Sequence, residues 1–267
     1  MDRSAESRRA RLCRLTPDRA LATLDEAFSF LEDRGVLTRM PDCALPSLFG
    51  ACHEAPSRPF GRGFDLWPKT RWVWSFQLTL DGRAILTKLH RGKSLYLSTA
   101  MAQLFDPLVR SVIARASGDE LHLLEHLQRH GESMADDVEL ELGWTRKRLK
   151  SVRDRLERFG AVISDGLVFD ESGGWHFAPM RRWDAVVPKA PASKDPLGDV
   201  IVAGVRAAVI APEHELRSWF TWPVTSETID RLVKAGALQR SKNGAPGLTL
   251  AEGYDGGPLP TRLPART

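Results

Sequence analysis

The sequence predicts a mainly α protein with small β-wings, an α+β fold built from tandem winged-helix units, the first carrying a long β-ribbon. Three observations lead there. Segments with apolar residues at spacings of three and four come in groups of three. Two of those groups are followed by short alternating segments around Asp165-Gly166 and Asn243-Gly244, dipeptides suited to two-residue hairpin turns. The same succession recurs along the chain, the mark of a repeated supersecondary unit.

Residues 1–19 read as a basic N-terminal arm, with Arg3, Arg8, Arg9, Arg11 and Arg14 in a solvated terminus. The first unit, 20–117, opens with the helix RALATLDEAFSFLEDRG and a shorter one, LPSLFGACH, with Pro46 near its start. A Gly- and Arg-rich loop follows. RWVWSFQLTLDGRAILTKLHRGKSLYLS then alternates as two or three strands turning at Asp81-Gly82. Such a turn pairs Leu78 with Ile85 and Trp74 with Leu89, and puts Ser75, Gln77, Lys88 and His90 on the other face. The expectation is a sheet packed on one side and open on the other, with Trp67, Trp72 and Trp74 in the core. The helix STAMAQLFDPLVRSVIARAS closes the unit.

The second unit, 118–187, contains the helix DELHLLEHLQRHG with Leu121, Leu124 and Leu127 inward, an acidic segment, SMADDVELELG, and a third, basic helix. The stretch 188–197, rich in Pro and Lys, reads as an exposed linker that protease cuts early. The third unit, 198–252, has three helical segments, the last capped by Thr225 with Glu227 in its first turn. Residues 253–267 form a low-complexity tail expected to be disordered.

Composition excludes several classes. At 267 residues, 42% hydrophobic and 27% charged, the chain is of ordinary globular type, and its charge of +4 is compatible with a nucleic-acid partner. Three scattered cysteines, Cys13, Cys43 and Cys52, make no disulfide framework and no paired zinc spacing. No signal peptide and no run of about 18 apolar residues is present, so the expectation is a cytoplasmic protein without a membrane partner. There is no phosphate-binding glycine loop, no nucleophile elbow and no zinc-protease helix, and no cofactor is expected. His122, His126 and His130 share one helix face but are read as its semi-exposed flank, with no metal assigned.

The third helix of the second unit is anomalous. In GWTRKRLKSVRDRLERFG the residues Leu149, Val152, Leu156 and Phe159 define a buried face and Thr145 an N-cap, yet Arg146, Lys147 and Arg148 crowd the positive end of the helix dipole. Lys147, Lys150, Ser151 and Arg158 point away from the apolar face, with Arg146 and Arg153 beside them. One reading makes this a recognition helix whose cations meet phosphates and base edges of double-stranded DNA, damaged DNA included. Another has the neighbouring Glu132, Asp136, Asp137, Glu139 and Glu141 neutralise it within the protein. A second basic set, Lys88, His90, Arg91 and Lys93 around Gly92, suits backbone approach to phosphate.

PSLFGACH, the Trp-rich WPKTRWVWSF and TKLHRGKSLYLS, followed by two later winged-helix patterns, resemble the AlkZ-related branch of the YcaQ-type winged-helix family. Its best-known members are DNA glycosylases that unhook interstrand crosslinks. The resemblance implies a DNA-binding tandem winged-helix protein of DNA repair or DNA-structure recognition. A glycosylase excising alkylated bases is the alternative, and a transcription regulator or protein-interaction module the second. The family's glycosylases carry a Gln-x-Gln catalytic motif. Gln77, Gln103, Gln128 and Gln239 form no such pair, so no catalytic residue is assigned. If Arg146 and Lys147 serve an anion, replacing both with Glu leaves stability unchanged or raised while DNA affinity falls; neutralisation by the acidic segment predicts the reverse.

Overall fold

A computed structural model of the chain describes residues 3–80, 82–164, 168–169, 175–176, 179–241 and 247–254. The turn dipeptides Asp165-Gly166 and Asn243-Gly244, Asp81, and residues 255–267 of the expected tail lie outside the described residues. The fold is α+β, with helices supporting small antiparallel sheets. No described helix is long and apolar enough to cross a membrane.

After α1 (Arg3–Leu12), one succession occurs three times: a helix, a short extended piece, two helices and two antiparallel strands. The first group is α2 (Leu24–Arg34), β1 (Val36–Thr38), α3 (Leu48–Cys52), α4 (Trp74–Leu80), β2 (Ala84–His90) and β3 (Lys93–Ser98). The long helix α5 (Thr99–Arg115) leads to the second, which is α6 (Gly118–His130), α7 (Ala135–Leu142), α8 (Arg146–Arg158), β4 (Val162–Ser164), the short pair β5 (Val168–Phe169) and β6 (Trp175–His176), β7 (Met180–Arg182) and α9 (Trp183–Val186). The third is α10 (Pro196–Ala208), β8 (Ala211–Pro212), α11 (Glu213–Trp219), α12 (Ser226–Lys234), β9 (Leu238–Arg240) and β10 (Gly247–Leu250). Each sheet places its last strand in the middle: β1-β3-β2 in the first group and β8-β10-β9 in the third. In the second, β7 pairs with β4 and bridges Ser133 between α6 and α7.

The helix starts follow their capping residues. Thr23, Ser98, Thr145 and Thr225 each accept a backbone N–H three residues on, and Asp195 does the same for Gly198 at the start of α10.

The first group departs from the strand reading. Residues 74–80 form a helix, so Leu78 does not pair with Ile85 nor Trp74 with Leu89. Trp74, Ser75, Phe76 and Leu78 are buried while Gln77 and Leu80 are exposed, and a run this short does not separate the two periods. The middle strand β3 already has β1 on one edge and β2 on the other. The ribbon turns instead at Arg91-Gly92, where φ values of 55° and 91° give the two left-handed residues of a type I′ turn between His90 and Lys93.

Nor is the sheet open on one side. Leu37, Leu86 and Tyr96 belong to a core with α2, α3, Trp67 and Trp74. On the other face, Val36, Ile85, Leu89, Leu95 and Leu97 pack with α5, Trp183 and the helices of the third group. A separate core lies under α6, α7 and α8. The N-terminal segment is likewise docked and not a free arm: Cys13 is buried with its Sγ 3.5 Å from Ala207 O, and Arg9 donates to Ala44 O at 3.3 Å. In the 188–197 stretch, Pro188, Lys189, Pro191, Ala192 and Lys194 are exposed, but Ala190 N donates to Asp106 at 2.9 Å. Asp106 is buried and also accepts from Arg110 Nε and Trp183 Nε1, both at 2.8 Å.

The second group meets the ribbon at Glu157. This buried carboxylate on α8 accepts from Lys88 of β2 and from the Ser164 hydroxyl, with Arg153 Nε at 3.5 Å. Close by, Gly160 turns at φ 76°, and a Cβ there would stand 2.9 Å from a Leu89 methyl. Breaking a buried pair costs about 3–5 kcal/mol, and the solvent that reaches Lys88 lowers this, so Glu157→Ala should destabilise the chain by about 2 kcal/mol in urea unfolding. Equal stability of Glu157→Ala and the parent would show that the apolar contacts alone hold the joint.

Candidate nucleic-acid interface

The anomaly at the start of α8 is largely resolved by its neighbours. Arg146 donates to Asp136 at 2.5 Å and to Glu139 at 3.1 Å, both on α7. Arg148 makes a two-pronged contact with Asp119 at 2.7 and 2.9 Å, and its guanidinium lies 4.9 Å from the Trp144 ring centre. The hydrogen bond from Arg148 holds the Asp119 carboxyl below its ordinary range, and that from Arg146 to Glu139 raises the guanidinium. Arg155 pairs with Glu120 at 3.2 Å and Lys150 with Asp154 at 2.6 Å. Lys147, Ser151 and Arg158 are exposed, and neither Lys147 nor Arg158 has an ion-pair partner among the described residues. The outward row of α8 thus keeps Lys147, Lys150, Ser151 and Arg158, while Arg153 is turned toward Glu157.

The ribbon cluster divides in a similar way. Lys88 reaches Glu157, and Lys93 reaches Asp42. His90 is buried, with Nδ1 2.5 Å from Trp219 O and Nε2 3.7 Å from Asp42. Arg91, at the turn, is exposed. The structure therefore places Lys88 and His90 in the seam between groups and leaves Arg91 at the tip. Thr221 ties that tip to α8: its N–H donates to Leu89 O at 2.9 Å and its hydroxyl to Arg158 O at 2.7 Å.

Among the three third helices, α8 alone has this character. α4 is mostly buried and uncharged, and α12 starts with Glu227 and pairs Arg231 with Asp195. A feature not read from the sequence lies between α3 and α4. Residues 55–69 form a finger with Ser57 N on Trp67 O at 2.8 Å, Arg58 N on Asp65 O at 2.9 Å and Lys69 N on Ala55 O at 3.1 Å. At its tip Phe60 is 102% exposed and held at φ 63°, an uncommon conformation for a bulky residue, with Arg58 and Arg62 two residues to either side. The signal was present as RPFGRGF, but an aromatic in a loop carries no period that would mark it as outward-facing.

Burial pushes the Cys43 thiol up to about 11 and that of Cys52 to about 12, so neither is set up as a nucleophile. Two mixed clusters have metal-ligating atoms close together: Asp42, Cys43 and His90, and His126, His130 and Glu141.

Fold and surface together define an α+β protein in which helices support small antiparallel sheets and the basic helix α8 has a row of side chains facing outward. Neither a protein-family model nor a curated protein matches the sequence. Among solved structures, the chain is similar to the DNA glycosylase AlkZ of Streptomyces sahachiroi, with a TM-score of 0.60 and 15% identity over 95% of this chain and 71% of that one. The likeness is one of fold.

The ion pairs of Arg146 reverse the stability half of the sequence expectation. Arg146→Glu should lower the melting temperature, because Asp136 and Glu139 would face a like charge, whereas Lys147→Glu should leave it unchanged or slightly raised. Differential scanning fluorimetry of the two single variants at low salt checks this; an equal effect of both would refute the division of α8 into paired and unpaired cations.

Proposed function

We propose that the chain is a DNA-binding protein of DNA repair or DNA-structure recognition, built of winged-helix units at 20–117, 118–187 and 198–252 joined by a linker at 188–197. In this reading α8 is the recognition helix. The observation that carries it is the outward row Lys147, Lys150, Ser151 and Arg158, in which Lys147 and Arg158 have no ion-pair partner among the described residues and Lys150 pairs with Asp154 of the same helix. A recognition helix offers its N-terminal residues to base edges and its flanks to phosphates. Lys147 and Ser151 suit the former role, and Arg158 with the ribbon tip Arg91 the latter.

Similarity of fold to a DNA glycosylase supports a repair setting and keeps base excision as the second reading. The finger favours damaged duplexes as the substrate class, because an apolar side chain flanked by cations can enter a weakened base step while the arginines hold the backbone. No Gln-x-Gln motif is present to supply the chemistry that its resemblance would imply, so binding and excision are separate questions.

Binding to duplex, single-stranded and alkylated DNA at several salt concentrations, with released bases assayed in the same samples, tests both readings. Lys147→Glu with Arg158→Glu should weaken duplex binding and lower the slope of log affinity against log salt by about one unit, for the phosphate that Arg158 no longer neutralises. Unchanged binding and slope would refute α8 as the interface. Phe60→Ala should leave the salt slope intact and weaken binding to damaged duplex by roughly 1–3 kcal/mol, the scale of an aromatic–base contact. A shallower slope with undiminished affinity for damage would assign the finger to backbone contact alone.

A further inference from the structure

We propose that His126, His130 and Glu141 form a binding site for a divalent transition metal of the Zn2+ class, clamping α6 to α7. His126 and His130 stand one helical turn apart on α6, their rings stacked with centroids 4.7 Å apart. Glu141 comes from α7, and one of its oxygens lies 3.3 Å from His126 Nδ1 and 3.3 Å from His130 Nε2. All three ligand atoms fall within 4.8 Å of one another. A tetrahedral ion with bonds of about 2.0–2.1 Å holds adjacent ligands about 3.3 Å apart, so two of the three edges already have the required length.

The surroundings complete the arrangement. His126 is buried, and its second nitrogen, Nε2, is 3.2 Å from the Ser133 hydroxyl, which in turn donates to Gly131 O at 3.2 Å. With the serine proton engaged by that carbonyl, Nε2–H donates to Ser133 and the Nδ1 lone pair faces Glu141. An outer partner fixing the ring and tautomer in this way is the usual support of a ligating histidine. Ser133 is itself fixed, since its backbone exchanges both hydrogen bonds with Met180 at 3.1 and 2.9 Å. His130 and Glu141 have side-chain exposures of 45% and 46%, so the fourth position opens to solvent. Three protein ligands with an open position is a set that zinc accepts. Asp137 adds a favourable charge near His126 and Arg129 an opposing one. The other cluster is a poorer match: the Lys93 ammonium already occupies Asp42, and His90 Nε2 stands 3.7 Å from it.

The site reaches beyond itself because α7 also carries Asp136 and Glu139, the carboxylates that hold Arg146 at the start of α8. Fixing Glu141 to α6 therefore steadies the acidic face against which the basic helix is set. The site stands whether or not α8 meets DNA.

The test uses the full chain, stripped with chelator and titrated with Zn2+ by calorimetry, and with Co2+ by absorption. One equivalent should bind, Co2+ should give tetrahedral d–d bands without a thiolate charge-transfer band, and Zn2+ should raise the melting temperature. His130→Ala and Glu141→Gln, both at exposed positions, should each weaken binding by more than the 10–100-fold expected for Ser133→Ala, which removes only the outer partner. Circular dichroism confirms that each variant is folded. No stoichiometric binding would mean that the two histidines simply donate protons to Glu141, and would overturn the proposal. So would binding that survives both ligand variants, or that disappears instead in Cys43→Ser with its thiolate band.

Discussion

The carboxylate of Glu157 is the contact on which the arrangement of the groups depends. It sits at the end of α8, out of reach of water, and gathers Lys88 from the ribbon of the first group and Ser164 from the strand that follows α8. A buried negative charge is tolerable only when paired and hydrogen-bonded, so its partners are obliged to converge there. The convergence sets which way α8 faces. With its C-terminal half drawn onto the ribbon, the helix has its Leu149, Val152 and Leu156 face on α6 and α7 and the opposite row toward solvent. Asp106 does the equivalent work on the far side, gathering Arg110, Trp183 and the backbone of Ala190, and so fixing where the third group begins.

Much of this was legible in the sequence, and the parts that were not share a cause. The caps Thr145 and Thr225 and the apolar face of α8 could be read because their partners are local and their period is long enough to measure, whereas on α6 the expected inward Leu121 is exposed and Leu123 is buried instead. α4 could not. It is only two turns of helix, and its alternating large residues fit a strand equally well. The second covered face of the ribbon was hidden for another reason. Alternation puts His90 on the polar side of an exposed strand, yet it is buried and meets Trp219 O, a group distant in the chain.

The candidate interface shows the same division. Lys147, Lys150, Ser151 and Arg158 lie outward as a helical wheel requires, because the apolar face fixes their direction. The wheel is silent on what each cation pairs with. Arg146, beside the outward row on the wheel, is held by carboxylates seven and ten residues away. Acidic neighbours pair Arg146, Arg148 and Arg155, as the second reading of the basic helix expects, while Lys147 and Arg158 have no ion-pair partner among the described residues.

The two-sided burial of the ribbon also bears on how the chain emerges during synthesis. The strands that end at Ser98 rest on α10, α11 and α12, whose last core residue, Leu232, is made more than a hundred residues later. At about 5–20 residues per second, Ile85, Leu89, Leu95 and Leu97 have α5 beside them at once but wait on the order of ten seconds for the third group. During that interval the nascent protein presents an apolar sheet face beside the still incomplete second group.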